Sequence, residues 1–262
     1  MDYSKMHEHI RRMLEDDPDS VSILEEKVDV DEQVRYFRYS QKAKQKLKED
    51  TVMEHVNLLH DQLLPIKYRR FLLCLLASVP NVEAYRAIEA YAKNPDEKLV
   101  EWVALAKLES RMMVQASLTN KSPVIISSGL GGKGLKLRYF VVFVSSTGVP
   151  FTEMQKKLIE GEFSYLSKKS ETEVEEIAHL GNFSTATVLI SLKDSVQSVL
   201  SEVVNQCNEL GDFILDSFMV TNVKKLSDDE ICASIDLMDS GEDVEEDEDE
   251  DEDDDTDEDD DY

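Results

Sequence analysis

Residues 135–145, LKLRYFVVFVS, constrain this chain more than any other stretch, because from Tyr139 to Val144 aromatic and β-branched side chains follow one another without a break. Period two puts Leu135, Leu137, Tyr139, Val141 and Phe143 on one face. On the other face Lys136 and Arg138 give way to Phe140, Val142 and Val144, so burial becomes two-sided only toward the far end. Such a strand belongs in the middle of a sheet.

The rest of the C-terminal half can be laid against it. Thr152 and Gln155 make a capping box for a helix to about Lys169, with Met154, Leu158, Ile159, Phe163 and Leu166 inward. Residues 172–179 hold few apolar side chains and many acids, the composition of an edge strand that uses charge to resist pairing. Gly181-Asn182 is turn material, and FSTATVLISL at 183–192 is its hairpin partner. Asp194 is placed to cap a helix through Leu210, with Gly211 as its stop, and 213–223 reads as the last strand. The order strand, helix, strand, strand, helix, strand is the split βαβ arrangement, so a ferredoxin-like βαββαβ domain with both helices on one sheet face is expected over 119–238.

Residues 1–118 carry helical periodicity instead. Tyr3, Met6, Ile10, Met13 and Leu14 begin it, and residues 21–30 are open between helix and extended chain. Thr51 and Glu54 form a second capping box, with Val52, Val56, Leu59 and Leu63 on one face. Pro65, Pro80 and Pro95 then recur every 15 residues where helices must stop or restart. Residues 66–79 are apolar nearly all round after the first turn and should be the buried helix. Asn81 and Asp96 are placed to cap the next two, with Val82, Tyr85, Ile88 and Tyr91, then Leu99, Val100, Val103, Ala106 and Met113, inward. Over residues 51–117 these short-turned helix pairs resemble HEAT-type and tetratricopeptide α-solenoid units, which implies a protein-binding surface rather than catalysis. The fold class expected is therefore α+β: an α-solenoid-like helical domain, a ferredoxin-like domain and a tail.

Charge is distributed unevenly. Of 56 acidic residues, 19 fall from Asp239 onward with no basic residue among them, so a net charge of −27 leaves only −8 on the body. With almost nothing to bury, residues 239–262 should be disordered, acting as a solubilising polyanion or attracting a basic partner. By contrast, the 43 residues between Glu109 and Glu153 contain no acid, while Arg111, Lys121, Lys133, Lys136 and Arg138 are basic. Gly131, Gly132, Lys133, Gly134, Lys136 and Arg138 are thus the candidate anion contacts, through exposed amides and positive charge. A glycine hairpin loop joining residues 124–127 to the long strand is the plainer reading of the same stretch. The tail, held at high effective concentration, could cover that region and compete with an anionic ligand.

Other chemistry lacks its context. Gly129, Gly131 and Gly134 spell G-x-G-x-x-G, but a strand follows where a dinucleotide site needs a helix, and Gly132-Lys133 lacks the Ser or Thr of a P-loop. The histidines have no metal-ligand spacing, and Cys74, Cys207 and Cys232 read as isolated buried thiols. No apolar run reaches membrane-span length. In residues 33–48, six basic residues interleave with three aromatics; a solvated helix ranks above a nucleic-acid surface there. The expectation is a cytoplasmic, non-enzymatic interaction protein without cofactor or metal, which binds a protein partner through its helical domain and an anionic surface through the glycine loop. Alternatives are a regulatory domain sensing a small anion, with a homodimer through the C-terminal domain, and a nucleic-acid- or ribosome-associated factor.

Overall fold

A computed structural model of the protein describes residues 10–14, 17, 21–46, 52–119 and 124–240. Residues 10–14 are helical; the rest of the first expected helix, the Thr51 cap and the tail beyond residue 240 lie outside the described residues. The architecture is mixed α and β, and the chain divides into compact units 1–226 and 227–262. No helix among the described residues is long and apolar enough to cross a membrane.

In the first unit, β1 (Val21–Ile23) precedes α1 (Val30–Lys46), a 3-10 segment (Met53–His60), α2 (Ile66–Ala77), α3 (Val82–Tyr91) and α4 (Val100–Thr119). Asn81 Oδ1 accepts the amides of Glu83 at 2.7 Å and Ala84 at 3.4 Å, while Asp96 accepts that of Lys98 at 3.0 Å. Both caps satisfy donors that a helix start leaves open. The α2 helix packs against α1, α3 and α4, and Tyr36, Leu73, Leu76, Ile88, Leu99 and Trp102 close the core among them.

Leu63, Val82 and Val100, expected inward, stand in solvent instead. Residues 53–60 wind with three residues per turn, so the α-helical spacing that grouped Leu63 with Val52 and Leu59 does not hold. Val82 and Val100 are each the first residue of their helices. Cys74 and Cys207 are buried, but Cys232 is exposed.

Residues 124–221 supply β2 (Val124–Ile126), which lies outside the main sheet, and the main sheet with its helices: β3 (Gly132–Lys133), β4 (Lys136–Val144), α5 (Glu153–Lys169), β5 (Glu173–Leu180), β6 (Phe183–Ser191), α6 (Val196–Glu209) and β7 (Met219–Thr221). The strand β4 pairs antiparallel with β6 from Lys136↔Ser191 to Val144↔Phe183, and β6 pairs antiparallel with β5. On its other side β4 carries β3 and β7, so the long strand is central. Val141, Phe143, Ala186, Val188 and Ile190 meet Ile159, Phe163 and Leu166 of α5 and Leu200, Val203, Val204 and Cys207 of α6, which places both helices on one face.

Four details differ from expectation. The strand β2 does not form a hairpin with β4; it pairs in parallel with β1, Val21↔Val124 to Ile23↔Ile126, which settles residues 21–23 as extended. Ser195 rather than Asp194 caps α6, and Met154 is exposed. The last strand is only Met219–Thr221, because Asn208 takes the amides of Phe213 at 3.1 Å and Ile214 at 3.0 Å and donates to the Ile214 carbonyl at 2.8 Å. Those bonds fix a bend, with Asp212 at φ 49°, where the apolar pattern alone suggested a straight run.

In the second unit, α7 (Asp228–Ser240) starts with a reciprocal cap: the Ser227 amide donates to Glu230 Oε2 at 2.8 Å, and the Glu230 amide donates to Ser227 Oγ at 3.3 Å.

Candidate anion-contact site

The glycine turn is held by its own chain. Gly131 donates to the Ser128 carbonyl at 3.1 Å, and its carbonyl accepts the Arg138 amide at 3.0 Å. Gly132 donates to the Glu25 carbonyl at 3.2 Å, and Gly134 to Glu25 Oε1 at 2.9 Å. A carboxylate therefore already occupies the amide that an incoming anion would use. Gly131 has φ 69°, and a Cβ built there would stand 2.5 Å from the Glu26 carbonyl oxygen, so close backbone approach explains this glycine.

The cations are matched as well. Glu173 receives Lys133 Nζ at 2.7 Å on one oxygen and Lys136 Nζ at 2.8 Å on the other. Arg138 grips Glu175 with Nε at 2.5 Å and Nη2 at 2.8 Å, while its Nη1 donates to the Leu130 carbonyl at 2.6 Å. Arg138, Leu189 and Glu173 lie in one row across β4, β6 and β5. The Arg138–Glu175 and Lys136–Glu173 pairs span the middle strand, in which Leu189 is fully buried. A register irregularity between Val174 and Glu176 adds Glu175 to the edge strand, so Glu175 and Glu176 both reach this side.

The acid-free stretch and the acid-rich strand are thus two halves of one electrostatic ladder. Hydrogen bonds from Lys133 and then Lys136 hold the Glu173 carboxyl at about 2, and the Arg138 fork lowers that of Glu175. Because the folded-state value lies below the ordinary 4.5, this contribution is complete above pH 4.5 and is lost as pH falls toward 2. Urea midpoints of the wild type and Glu173→Gln are accordingly expected to differ at pH 6 and to converge by pH 2. A difference that stays constant over that range would show the ladder to be energetically silent.

Beside this ladder is a hollow of about 370 Å³, lined by Lys27, Leu130, Arg138, Glu175, Glu176, Thr187 and Lys225. Lys225 pairs with Glu176. Lys27 is exposed and pairs with no described residue.

On the helical side, the basic run is divided by α1. Arg35 pairs with Glu32, and Lys44 with the buried Glu109. Tyr36 Oη and Ser40 Oγ donate to the two oxygens of Glu109 at 2.6 and 2.7 Å. Burial first, and the Glu109 charge second, push the Tyr36 phenol well above its ordinary value. Arg38 and Lys42, one turn apart on the exposed face, pair with no described residue.

All six candidate residues are therefore brought together at one sheet rim, each engaged internally through a side chain or the backbone. What sequence reading missed was the partner set, Glu25, Glu173 and Glu175. The signal was present: two cations at Lys136 and Arg138, and two acids at Glu173 and Glu175, share i, i+2 spacing on strands separated by one. Compared with known proteins, the chain matches no family model and no curated protein.

Proposed function

We propose that this chain is a non-enzymatic interaction protein that takes a protein partner through its helical half. The ferredoxin-like reading of 136–221 is supported by the strand order β7-β4-β6-β5 with both helices on one face. The α-solenoid-like reading of 51–117 is supported by α2, α3 and α4 packing on one another across short capped turns.

One observation carries the proposal. Leu63 is 94% exposed and Tyr68 64% exposed on either side of the Leu64-Pro65 turn. The turn holds Leu63 in place, since Asp61 accepts the Leu63 amide on Oδ1 at 2.9 Å and the Leu64 amide on its carbonyl at 3.2 Å. A turn that fixes a leucine in water gains nothing for folding, and anchors of this kind become buried when a partner covers them.

The double variant Leu63→Ser/Tyr68→Ser should keep its stability to within about 0.5 kcal/mol. It should lose the protein that wild type retains in affinity purification from native lysate. Retention of that protein by the variant would place the interface elsewhere. An anionic surface at the glycine turn would have to exchange places with Glu25, Glu173 and Glu175, so this contact is assigned a secondary part.

A further inference from the structure

We propose that the hollow between Lys27, Arg138 and Lys225 is a binding site for a small oxyanion of the phosphate class. Three cations reach it from three separate segments: the stretch after β1, the central strand β4 and the chain after β7. Its volume, about 370 Å³, lies in the range of small-ligand sites.

The donors there are of unequal kind. Arg138 is fixed by Glu175 and by the Leu130 carbonyl, and these three contacts leave two of its five N–H donors. Lys225 is shared with Glu176. Lys27 has no described counter-charge, so three cations face two carboxylates and one positive charge stays uncompensated. Leu130 closes the floor of the hollow but is only 2% exposed, so the surface offered to a small anion is chiefly that of the charged side chains around it.

The same carboxylates decide the size of the ligand. Glu175 and Glu176 line the hollow, and Glu173 stands on the same strand beside them. A polyanion laid across this rim would run its charges along that acidic row. A single compact oxyanion can reach Lys27, Lys225 and the free Arg138 donors without doing so. The observations therefore favour a small ligand over nucleic acid.

The test is a titration of the full chain with inorganic phosphate, followed by amide NMR, with sodium chloride at matched ionic strength as control. Saturable shifts centred on Lys27, Leu130 and Lys225 are expected. Lys27→Gln, which removes an exposed side chain without a described partner, should raise the apparent Kd by about tenfold or more, as for a lost charged hydrogen bond. Lys93→Gln, at the end of α3, should leave it unchanged. Shifts that do not saturate or that chloride reproduces, or a Lys27→Gln protein that titrates like wild type, would overturn the proposal. Tighter binding of a twelve-residue oligodeoxythymidylate at the same amides would also overturn it, in favour of a polymer site.

Discussion

Gly131→Ala is expected to destabilise the protein by about 3–5 kcal/mol, combining the cost of a left-handed non-glycine residue with that of forcing atoms into filled space. The residue sits at φ 69° with the Glu25 and Glu26 carbonyl oxygens against the position a Cβ would take. Both opponents are backbone and cannot rotate away. Gly134 provides the control: at φ 60° it has open space around it, so Gly134→Ala should cost only about 1 kcal/mol. Urea unfolding followed by circular dichroism measures both. Equal losses would mean that the turn needs glycine only for its backbone angle and not for the approach of residues 25–26.

Glu109→Ala should cost about 3–5 kcal/mol, because it removes one partner of a buried charged network. Tyr36 is wholly buried and Ser40 nearly so, and both would keep hydroxyls with no acceptor. Lys44, by contrast, is half exposed and can turn toward water. Most of the loss should therefore appear at Tyr36. The double variant Glu109→Ala/Tyr36→Phe is expected to be more stable than Glu109→Ala alone, since it removes the stranded phenol. A double variant less stable than the single one would show that Tyr36 and Glu109 act separately.

How far the sequence led differed between kinds of feature. Elements set by local chemistry were legible: the Thr152–Gln155 box forms with the Gln155 amide donating to Thr152 Oγ1 at 3.3 Å and the Thr152 amide to Gln155 Oε1 at 2.8 Å. The long strand and its hairpin partner were legible because their apolar pattern is two-sided. Features set by distant residues were not. No local pattern pairs β2 with β1 more than a hundred positions away, and none shows that Asn208 bends the chain ahead of β7.

The candidate site follows the same division. That Gly131, Gly132, Lys133, Gly134, Lys136 and Arg138 stand together could be read from their nearness in sequence. That Glu25, Glu173 and Glu175 answer them depends on two other segments being brought to the same rim. An acid-free stretch in an acidic chain reads, by composition alone, as a surface facing outward. The charges of Lys133, Lys136 and Arg138 are compensated within the sheet, while Lys27 beside the ladder and Arg38 and Lys42 on α1 are among the exposed cations without described partners.

The cations of the glycine turn are held by carboxylates of the edge strand. Side-chain carbon NMR of Glu173 across an acid titration tests it most directly. A midpoint at about 2 is predicted, with Lys133 and Lys136 as the cause. A midpoint near the ordinary 4.5 would mean that Glu173 is unpaired and that the basic rim is open to an external anion after all.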